Sequence, residues 1–311
     1  MLTENFMKDI EYLDRSTGNL EKEKVYGKFF LEALYGSSPF SRLFSLIVLP
    51  FLARIPFFSK LYGKAQKKTK SKKKVKPFIQ KFSVDQSEFE RSSEEFSSFN
   101  DFFIRRLKPA CRPIDQGDKV AVLPADGRHL FYPSIGDAEG FYVKGKKFDL
   151  NALLRDEFLF DIYKRGSLII SRLCPTDYHR FHFPCECVPT TPKLINGPLY
   201  SVNPIALRRN IEILGENKRV LTQLKTKAFG NILFIEVGAT FVGSIKQTFT
   251  PQSLCMKGQE KGYFEFGGSC ILMLFGPGTI TFDNDLIESS KRQIEIKAKM
   301  GEKFGLANNY S

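Results

Sequence analysis

Phe266-Gly267-Gly268-Ser269-Cys270-Ile271-Leu272-Met273-Leu274-Phe275-Gly276-Pro277-Gly278-Thr279-Ile280-Thr281-Phe282 is the stretch from which the rest of the chain is best read. Residues 271–275 are a short apolar run. Gly276-Pro277-Gly278 is a turn signal, and residues 279–282 resume the apolar pattern. That is a strand, a turn and a second strand. Working outward, residues 167–173 follow Gly166 as another apolar run, and residues 232–242 form a third with Gly238 inside. One helix is expected near residues 149–161, with Leu150, Leu153, Leu154 and Phe158 on one apolar face. No long alternation of strand and helix appears. The pattern favours an α+β fold, a mainly antiparallel β body with a few helices, over a doubly wound sheet. No internal repeat, Walker-type phosphate loop or GxGxxG is present.

Composition bounds the rest. The chain has 311 residues with 42% hydrophobic content and 31 Phe, enough to bury a core in one or two domains. The net charge is +13, and Lys64, Lys67, Lys68, Lys70, Lys72, Lys73, Lys74 and Lys76 supply much of it from one segment. A lysine run of this kind suits an anionic surface, either nucleic acid or acidic lipid. Residues 1–14 carry scattered acids and no apolar core of a secretory signal, so the six cysteines are expected to be reduced and intracellular. Cys185-Glu186-Cys187 offers half of a metal site, but no second Cys/His pair stands at metal spacing. These read as structural thiols, and no metal is expected.

The first 98 residues read as a unit apart from residues 99–311. Residues 1–25 are expected to form a mobile or accessory helix. The longest uncharged run nearby, residues 43–53, has eleven residues and contains Pro50. A membrane-spanning helix needs about 20, so a span is not expected. Phe44, Leu46, Ile47, Phe51, Phe57 and Phe58, punctuated by Arg42, Arg54 and Lys60, read instead as an interfacial helical segment. A helical subdomain packed on the core is the plainer alternative. The lysine run follows directly and strengthens the membrane reading. Residues 77–98 read as a polar connector, and residues 99–107 as a helix capped by Asn100 or Asp101.

Three groups bear chemistry. Ser269 stands behind two glycines, which let other groups approach the backbone closely. Of the three histidines, His179 and His182 lie within four residues, beside Asp177, Tyr178 and Arg180. If residues 172–183 are extended, the two imidazoles point to opposite faces; if the chain turns, both face one cleft. Asp126, between Pro124-Ala125 and Gly127, is either a plain turn residue or a carboxylate held to fix a histidine tautomer. A carboxylate, an imidazole and a hydroxyl together can activate a serine. No glycine stands two positions after Ser269, so the GxSxG elbow of ordinary lipases and esterases is missing.

In order along the chain, Phe99-Asn100-Asp101-Phe102-Phe103, Arg112-Pro113-Ile114-Asp115, Pro124-Ala125-Asp126-Gly127 and Asp177-Tyr178-His179-Arg180-Phe181-His182-Phe183-Pro184-Cys185 precede Ser201-Val202-Asn203, Val237-Gly238-Ala239-Thr240, Gly243-Ser244-Ile245, Lys257-Gly258-Gln259-Glu260 and Phe266-Gly267-Gly268-Ser269. This ordered set resembles the pyruvoyl-dependent, self-processing phosphatidylserine decarboxylases. The processing motif of bacterial members often reads Leu-Gly-Ser-Thr; here Gly267 and Cys270 stand at its outer positions, while Gly268 and Ser269 are kept.

The resemblance implies a charge relay in which Asp126 orients His182 and His182 deprotonates Ser269. Ser269 Oγ then attacks the Gly268 carbonyl, an ester replaces the peptide bond, and elimination followed by hydrolysis leaves a pyruvoyl group with loss of ammonia. The products are a β chain, 1–268, and an α chain, 269–311, that stay together. The covalent pyruvoyl cofactor forms a Schiff base with the serine amine of phosphatidylserine, takes up the electrons left by CO₂, and yields phosphatidylethanolamine. His179 is expected to help in proton delivery or substrate positioning. The implied partner is phosphatidylserine in an anionic membrane, met peripherally on the cytoplasmic side of the cell membrane. A homo-oligomer is left open, and nucleic acid is not an expected partner. Three rivals stand beside this reading: a serine hydrolase with an intact chain, a nucleic-acid-binding protein, and a pyruvoyl decarboxylase of a soluble amino acid.

Overall fold

The run after Ser269 forms a strand, and it lies in the middle of the largest sheet. The computed structural model describes residues 10–26, 56–136, 141–143, 146–239, 245–267 and 269–308. In chain order the strands are β1 (Glu11–Asp14), β2 (Leu20–Lys22), β3 (Val120–Val122), β4 (Gly127–Tyr132), β5 (Phe141–Val143) and β6 (Lys146–Phe148). Next come β7 (Ser167–Leu173), β8 (Arg180–His182), β9 (Val188–Pro189), β10 (Lys193–Ile195), β11 (Arg219–Lys225) and β12 (Asn231–Gly238). The last are β13 (Ile245–Gln247), β14 (Glu260–Phe264), β15 (Ser269–Phe275), β16 (Ile280–Phe282), β17 (Glu295–Ala298) and β18 (Lys303–Ala307).

The ten-stranded sheet runs β10-β11-β12-β15-β7-β4-β17-β1-β2, with β9 also on β11. Every pairing in it is antiparallel except β1 with β17. β15 and β7 are buried at every residue. A strand covered on both faces reads as a continuous apolar run rather than an alternating one, which is why residues 270–275 stand out in the sequence. Smaller sheets, β13-β14-β8 and β16-β18-β3, flank the large one. The β14–β8 pairing sets His182 opposite Glu260. The result is a mixed fold, mainly β sheet with few helices.

The expected helix over residues 1–25 is not found where the chain is described: residues 10–26 hold the hairpin of β1 and β2, joined to β17. Glu11, Glu21 and Lys22 obscure the strand pattern, because edge strands keep polar side chains. Arg15 in the turn bonds Asp285 at 2.8 Å and Asp283 at 3.2 Å, and Lys297 bonds Asp14 at 2.8 Å. The interfacial run at residues 43–53 lies outside the described residues. Among the described residues no helix is long and apolar enough to cross a membrane.

The lysine run is folded, not extended. It spans the helix Pro56–Lys67, the 3-10 turn Thr69–Lys74 and the helix Val75–Phe82. Val75, Phe78 and Ile79 turn inward, while Lys64, Lys68, Lys70 and Lys73 face solvent. The inward residues join Phe89, Phe96, Phe99, Phe102, Phe103 and Phe266 in a second apolar core. The expected connector at residues 77–98 therefore begins inside a packed helix.

Two local expectations are corrected. The helix Phe99–Phe103 is capped by Ser98, whose Oγ accepts the Asp101 N–H at 3.1 Å. Asn100 instead accepts the N–H of Phe266 at 2.9 Å, tying this helix to the residues before Ser269. The single helix near residues 149–161 is two, Leu150–Leu154 and Glu157–Tyr163, separated at Arg155 with φ of 48°. Asp156 caps the second, and the break turns Phe158 outward to 72% exposure.

Candidate active site

Ser269 opens β15 and is wholly buried between Leu173 of β7 and Gly238 of β12. Its Oγ has no hydrogen-bond partner among the described residues. A buried hydroxyl left unpaired costs about 1–3 kcal/mol, so the sheet keeps this group at a measurable expense. Gly267, two residues earlier, has φ of 147°, a conformation that side-chain-bearing residues avoid. Gly268 lies outside the described residues.

The histidine pair lies past a turn. β7 ends at Leu173, the Asp177 N–H donates to Cys174 O at 2.9 Å, and the chain re-enters a strand at Arg180. Both imidazoles are buried. His182 Nδ1 lies 2.9 Å from the carbonyl of Gly258 and Nε2 lies 3.3 Å from the Tyr178 hydroxyl. A carbonyl only accepts, so Nδ1 carries the proton and Nε2 presents its lone pair to Tyr178. Burial holds the His182 pKa below the ordinary value, although the Gly258 bond and the charges of Glu260 and Asp126 oppose that shift.

His179 Nδ1 donates to Asp177 O at 2.9 Å, and its Nε2 is buried with no partner among the described residues. The ring lies 3.7 Å from the Phe103 ring centroid. Burial drives its pKa down to about 3, so it too is neutral. His129, the third histidine, is a core residue. Its Nε2–H donates to Ala298 O at 3.4 Å and its Nδ1 accepts from Ser171 at 2.9 Å.

Asp126 is held from two sides. Arg112 Nε donates to Oδ1 at 2.8 Å and Arg112 Nη2 to Oδ2, and the Met300 N–H donates to Oδ1 at 2.9 Å. Arg112 also reaches Glu88 at 2.9 Å and 3.0 Å. No hydrogen bond joins Asp126 to His182, or His182 to Ser269, among the described residues. Asp126 bears on His182 as a nearby charge, while Gly258 O fixes the tautomer. Arg112, Gly258 and Tyr178 belong to the ordered sequence motifs, which by themselves give them no role. Their signal was membership in that ordered set.

One cavity of about 1020 Å³ reaches Arg112, Asp126 and Tyr178, while His179, His182 and Ser269 do not line it. Tyr26, Tyr62, Phe82 and Phe266 make one part of its wall aromatic. Asp126, Arg128, Arg172, Asp177 and Tyr178 make another part charged and polar. Gly267 lies on the same wall. The Arg128 and Arg172 charges are met by Glu23 at 3.2 Å and 2.6 Å, by Asp177 and by Glu295. A cavity with an apolar part and an ionic part suits an amphiphile. Cys185 and Cys187 are buried free thiols whose pKa values burial raises. Among the described residues no group of His, Cys, Asp and Glu is placed to hold a metal ion.

A buried serine at the head of a central strand, with a cavity beside it that reaches Gly267, Asp126 and Tyr178, defines the class: a mainly β protein with a serine held in its central sheet. Comparison with known proteins narrows it. The family model described as phosphatidylserine decarboxylase matches residues 99–306. The phosphatidylserine decarboxylase proenzyme of Chlamydia muridarum is 45% identical over 298 residues, covering 94% of this chain and 96% of that protein. That of Chlamydia caviae is 46% identical over 299 residues, covering 96% and 98%. That of Chlamydia pneumoniae is 42% identical over the same coverage. The chain belongs to the phosphatidylserine decarboxylase family.

Proposed function

We propose that this chain is the proenzyme of a phosphatidylserine decarboxylase, a lyase that converts phosphatidylserine to phosphatidylethanolamine after cutting itself between Gly268 and Ser269. The observation that carries the reading is the Ser269 hydroxyl, buried and unpaired at the head of β15. A serine kept without a hydrogen bond is a nucleophile free to turn toward the preceding carbonyl. His182 is the base: neutral, with its tautomer fixed by Gly258 O and a lone pair on Nε2. Asp126 supplies the negative charge that favours the imidazolium once the proton arrives. Ser269 Oγ attacks the Gly268 carbonyl carbon, and the chain separates into 1–268 and 269–311.

The pyruvoyl group made from Ser269 supplies the electron sink for carboxyl loss. The residues around it fit that use. β12 and β7 exclude water from the head of β15, and the adjoining cavity gives a lipid headgroup access to residue 267. His179, neutral and with Nε2 unspent among the described residues, is the group to which we assign proton holding or delivery in that step. The two chains stay associated because β15 has a neighbour along each edge.

The same cavity accounts for the lysines. Tyr62 lines its aromatic part and belongs to the helix that carries Lys64 and Lys67, and Lys74 sits 5.9 Å from the Tyr62 ring. Docking of this basic surface on an anionic leaflet, peripherally on the cytoplasmic side of the cell membrane, sets the aromatic part against the lipid. Phosphatidylserine is both the substrate and part of the charge that recruits the enzyme.

Denaturing mass spectrometry of the purified protein tests the reading. Two chains are expected, split at residues 268 and 269, the smaller carrying a borohydride-reducible carbonyl in place of an amino terminus. Ser269→Ala should remain one chain. An uncut, active wild-type chain would favour an ordinary serine hydrolase and overturn the proposal.

A further inference from the structure

Arg105, Arg112, Arg128 and Arg172 line the large cavity from buried positions. Three of them meet carboxylates. Arg112 holds Asp126 and Glu88, Arg128 meets Glu23 and Asp177, and Arg172 meets Glu23 and Glu295. Arg105 is the exception: it is 4% exposed, and among the described residues no carboxylate pairs with it. We infer that Arg105 anchors the phosphodiester of the lipid headgroup, which supplies the missing anion. The inference rests on the reading of the chain as a phosphatidylserine decarboxylase and names a residue that holds its substrate.

The Arg105 guanidinium is only partly satisfied. Nη2 donates to Thr176 O at 2.9 Å and to Asp177 O at 3.2 Å, Nη1 reaches Phe102 O only at 3.5 Å, and Nε has no partner among the described residues. Carbonyl oxygens accept its protons but bring no full charge to balance it. The Phe89 and Phe102 ring centroids lie 5.3 Å and 4.9 Å from its Cζ, so aromatic rings stand where water would otherwise solvate it. Asp126 and Asp177 act on it as nearby charges without bonding it. Burial lowers its pKa to about 10, so it stays charged at neutral pH. A buried charge is normally paired, and an anionic ligand in the cavity completes this one.

The position suits a headgroup. Asp177 O accepts from Arg105 Nη2 and, at 2.9 Å, from His179 Nδ1, so the guanidinium and the imidazole stand on one oxygen. Arg105 also follows the helix Phe99–Phe103, whose Asn100 accepts the Phe266 N–H at 2.9 Å and whose Phe103 ring lies 4.9 Å from that of Phe266. The cation is thus tied to the same supports as His179 and the segment before residue 269. Phosphatidylserine carries two anionic groups, and the chemistry selects between them. Its carboxylate loses its charge as CO₂ leaves, so a cation bound there would favour the ground state and slow the reaction. The phosphodiester keeps its charge from substrate to product, and a cation on it holds the lipid without opposing the step.

Steady-state decarboxylation by the self-cleaved enzyme, on phosphatidylserine in detergent micelles, tests the anchor. Arg105→Gln should raise KM by about 10- to 100-fold, the scale of a lost hydrogen bond to a charged group, and lower kcat far less. Arg105→Lys keeps the charge without the fork and should recover part of the loss. Competition by soluble headgroups separates binding from a structural role. Glycerophosphoethanolamine should inhibit the wild type and lose that inhibition in Arg105→Gln, while ethanolamine, which has no phosphate, should act alike on both. Inorganic phosphate should compete more weakly; equal competition would mark a free-phosphate site and overturn the headgroup assignment. An unchanged KM in Arg105→Gln, or a wild type indifferent to glycerophosphoethanolamine, overturns the anchor. The second result needs no variant and holds even where Arg105→Gln fails to fold. A wild-type chain that neither cuts itself nor releases CO₂ would instead overturn the underlying reading of the enzyme.

Discussion

Arg112 grips both carboxylate oxygens of Asp126, Nε on Oδ1 at 2.8 Å and Nη2 on Oδ2, and the pair is buried. The fork comes from the loop before β3, and the carboxylate from the turn before β4. Burial alone would lower the Arg112 pKa, but its bonds to Asp126 and Glu88 raise it above the usual arginine range. Asp126 is thus a fixed charge whose position is set by a residue 14 places earlier in the chain.

Removing the fork should leave Asp126 buried and unbalanced. Arg112→Gln is expected to lower stability by about 3 kcal/mol, the scale for breaking a buried ion pair from one side. Arg112→Lys keeps the charge but cannot hold both oxygens, and should recover part of that loss. Chemical denaturation of both variants in a Ser269→Ala background, where the chain stays whole, measures the effect.

His179→Ala should separate the two activities. Its Nε2 has no partner and its Nδ1 bonds only a backbone oxygen, so no link to Ser269 is lost. Self-cleavage is expected to proceed, while decarboxylation falls by 10²-fold or more, the scale of a lost proton-transfer group. Gel analysis of the cut and CO₂ release from labelled lipid read the two separately.

Acid should weaken the fold through His129. Burial pushes its pKa down to about 4, against about 6.5 in an unfolded chain. Between those values the unfolded state takes up a proton that the folded state refuses. The stability from this group is complete above about pH 6.5 and is lost as the pH falls toward 4, on the order of 3 kcal/mol in all. Urea midpoints at about pH 7 and 4.5 should differ less for His129→Gln than for the parent, again in the Ser269→Ala background.

The exposed lysines should matter for binding and not for the cut. Replacing Lys64, Lys68, Lys70 and Lys73 with Gln removes roughly 1 kcal/mol of attraction per residue to an anionic leaflet. Cosedimentation with phosphatidylserine vesicles is expected to weaken by about 10²-fold or more at low salt, with self-cleavage unchanged. Equal binding by the variant would remove the lysines from the docking surface.

The centre of the fold was legible because it is monotonous. β15 and β7 are buried on both faces, so their sequences are nearly pure apolar runs that no helix period explains. The hairpin at residues 11–22 was not legible, since polar edge strands carry no such run and β1 pairs with a strand some 280 residues away. The chemistry-bearing side chains could be named from their types and order. Their contacts could not: the group that fixes the His182 tautomer is a backbone carbonyl, Gly258 O, which leaves no mark on a side-chain pattern. Buried charge hides in the same way. Lys261 and Glu236 carry ionisable side chains, yet both are fully buried, paired with each other and with Thr222 and Gln247 nearby.

β15 has β12 along one edge and β7 along the other, and it begins at Ser269. If Ser269 becomes the pyruvoyl group proposed above, that group could not be traded for a fresh one, as a dissociable coenzyme can, without opening the sheet. Chemical damage to it would therefore be permanent for that molecule. Under that maturation the cell would restore activity only by synthesising a new chain, and the working life of the catalyst would equal the working life of the polypeptide.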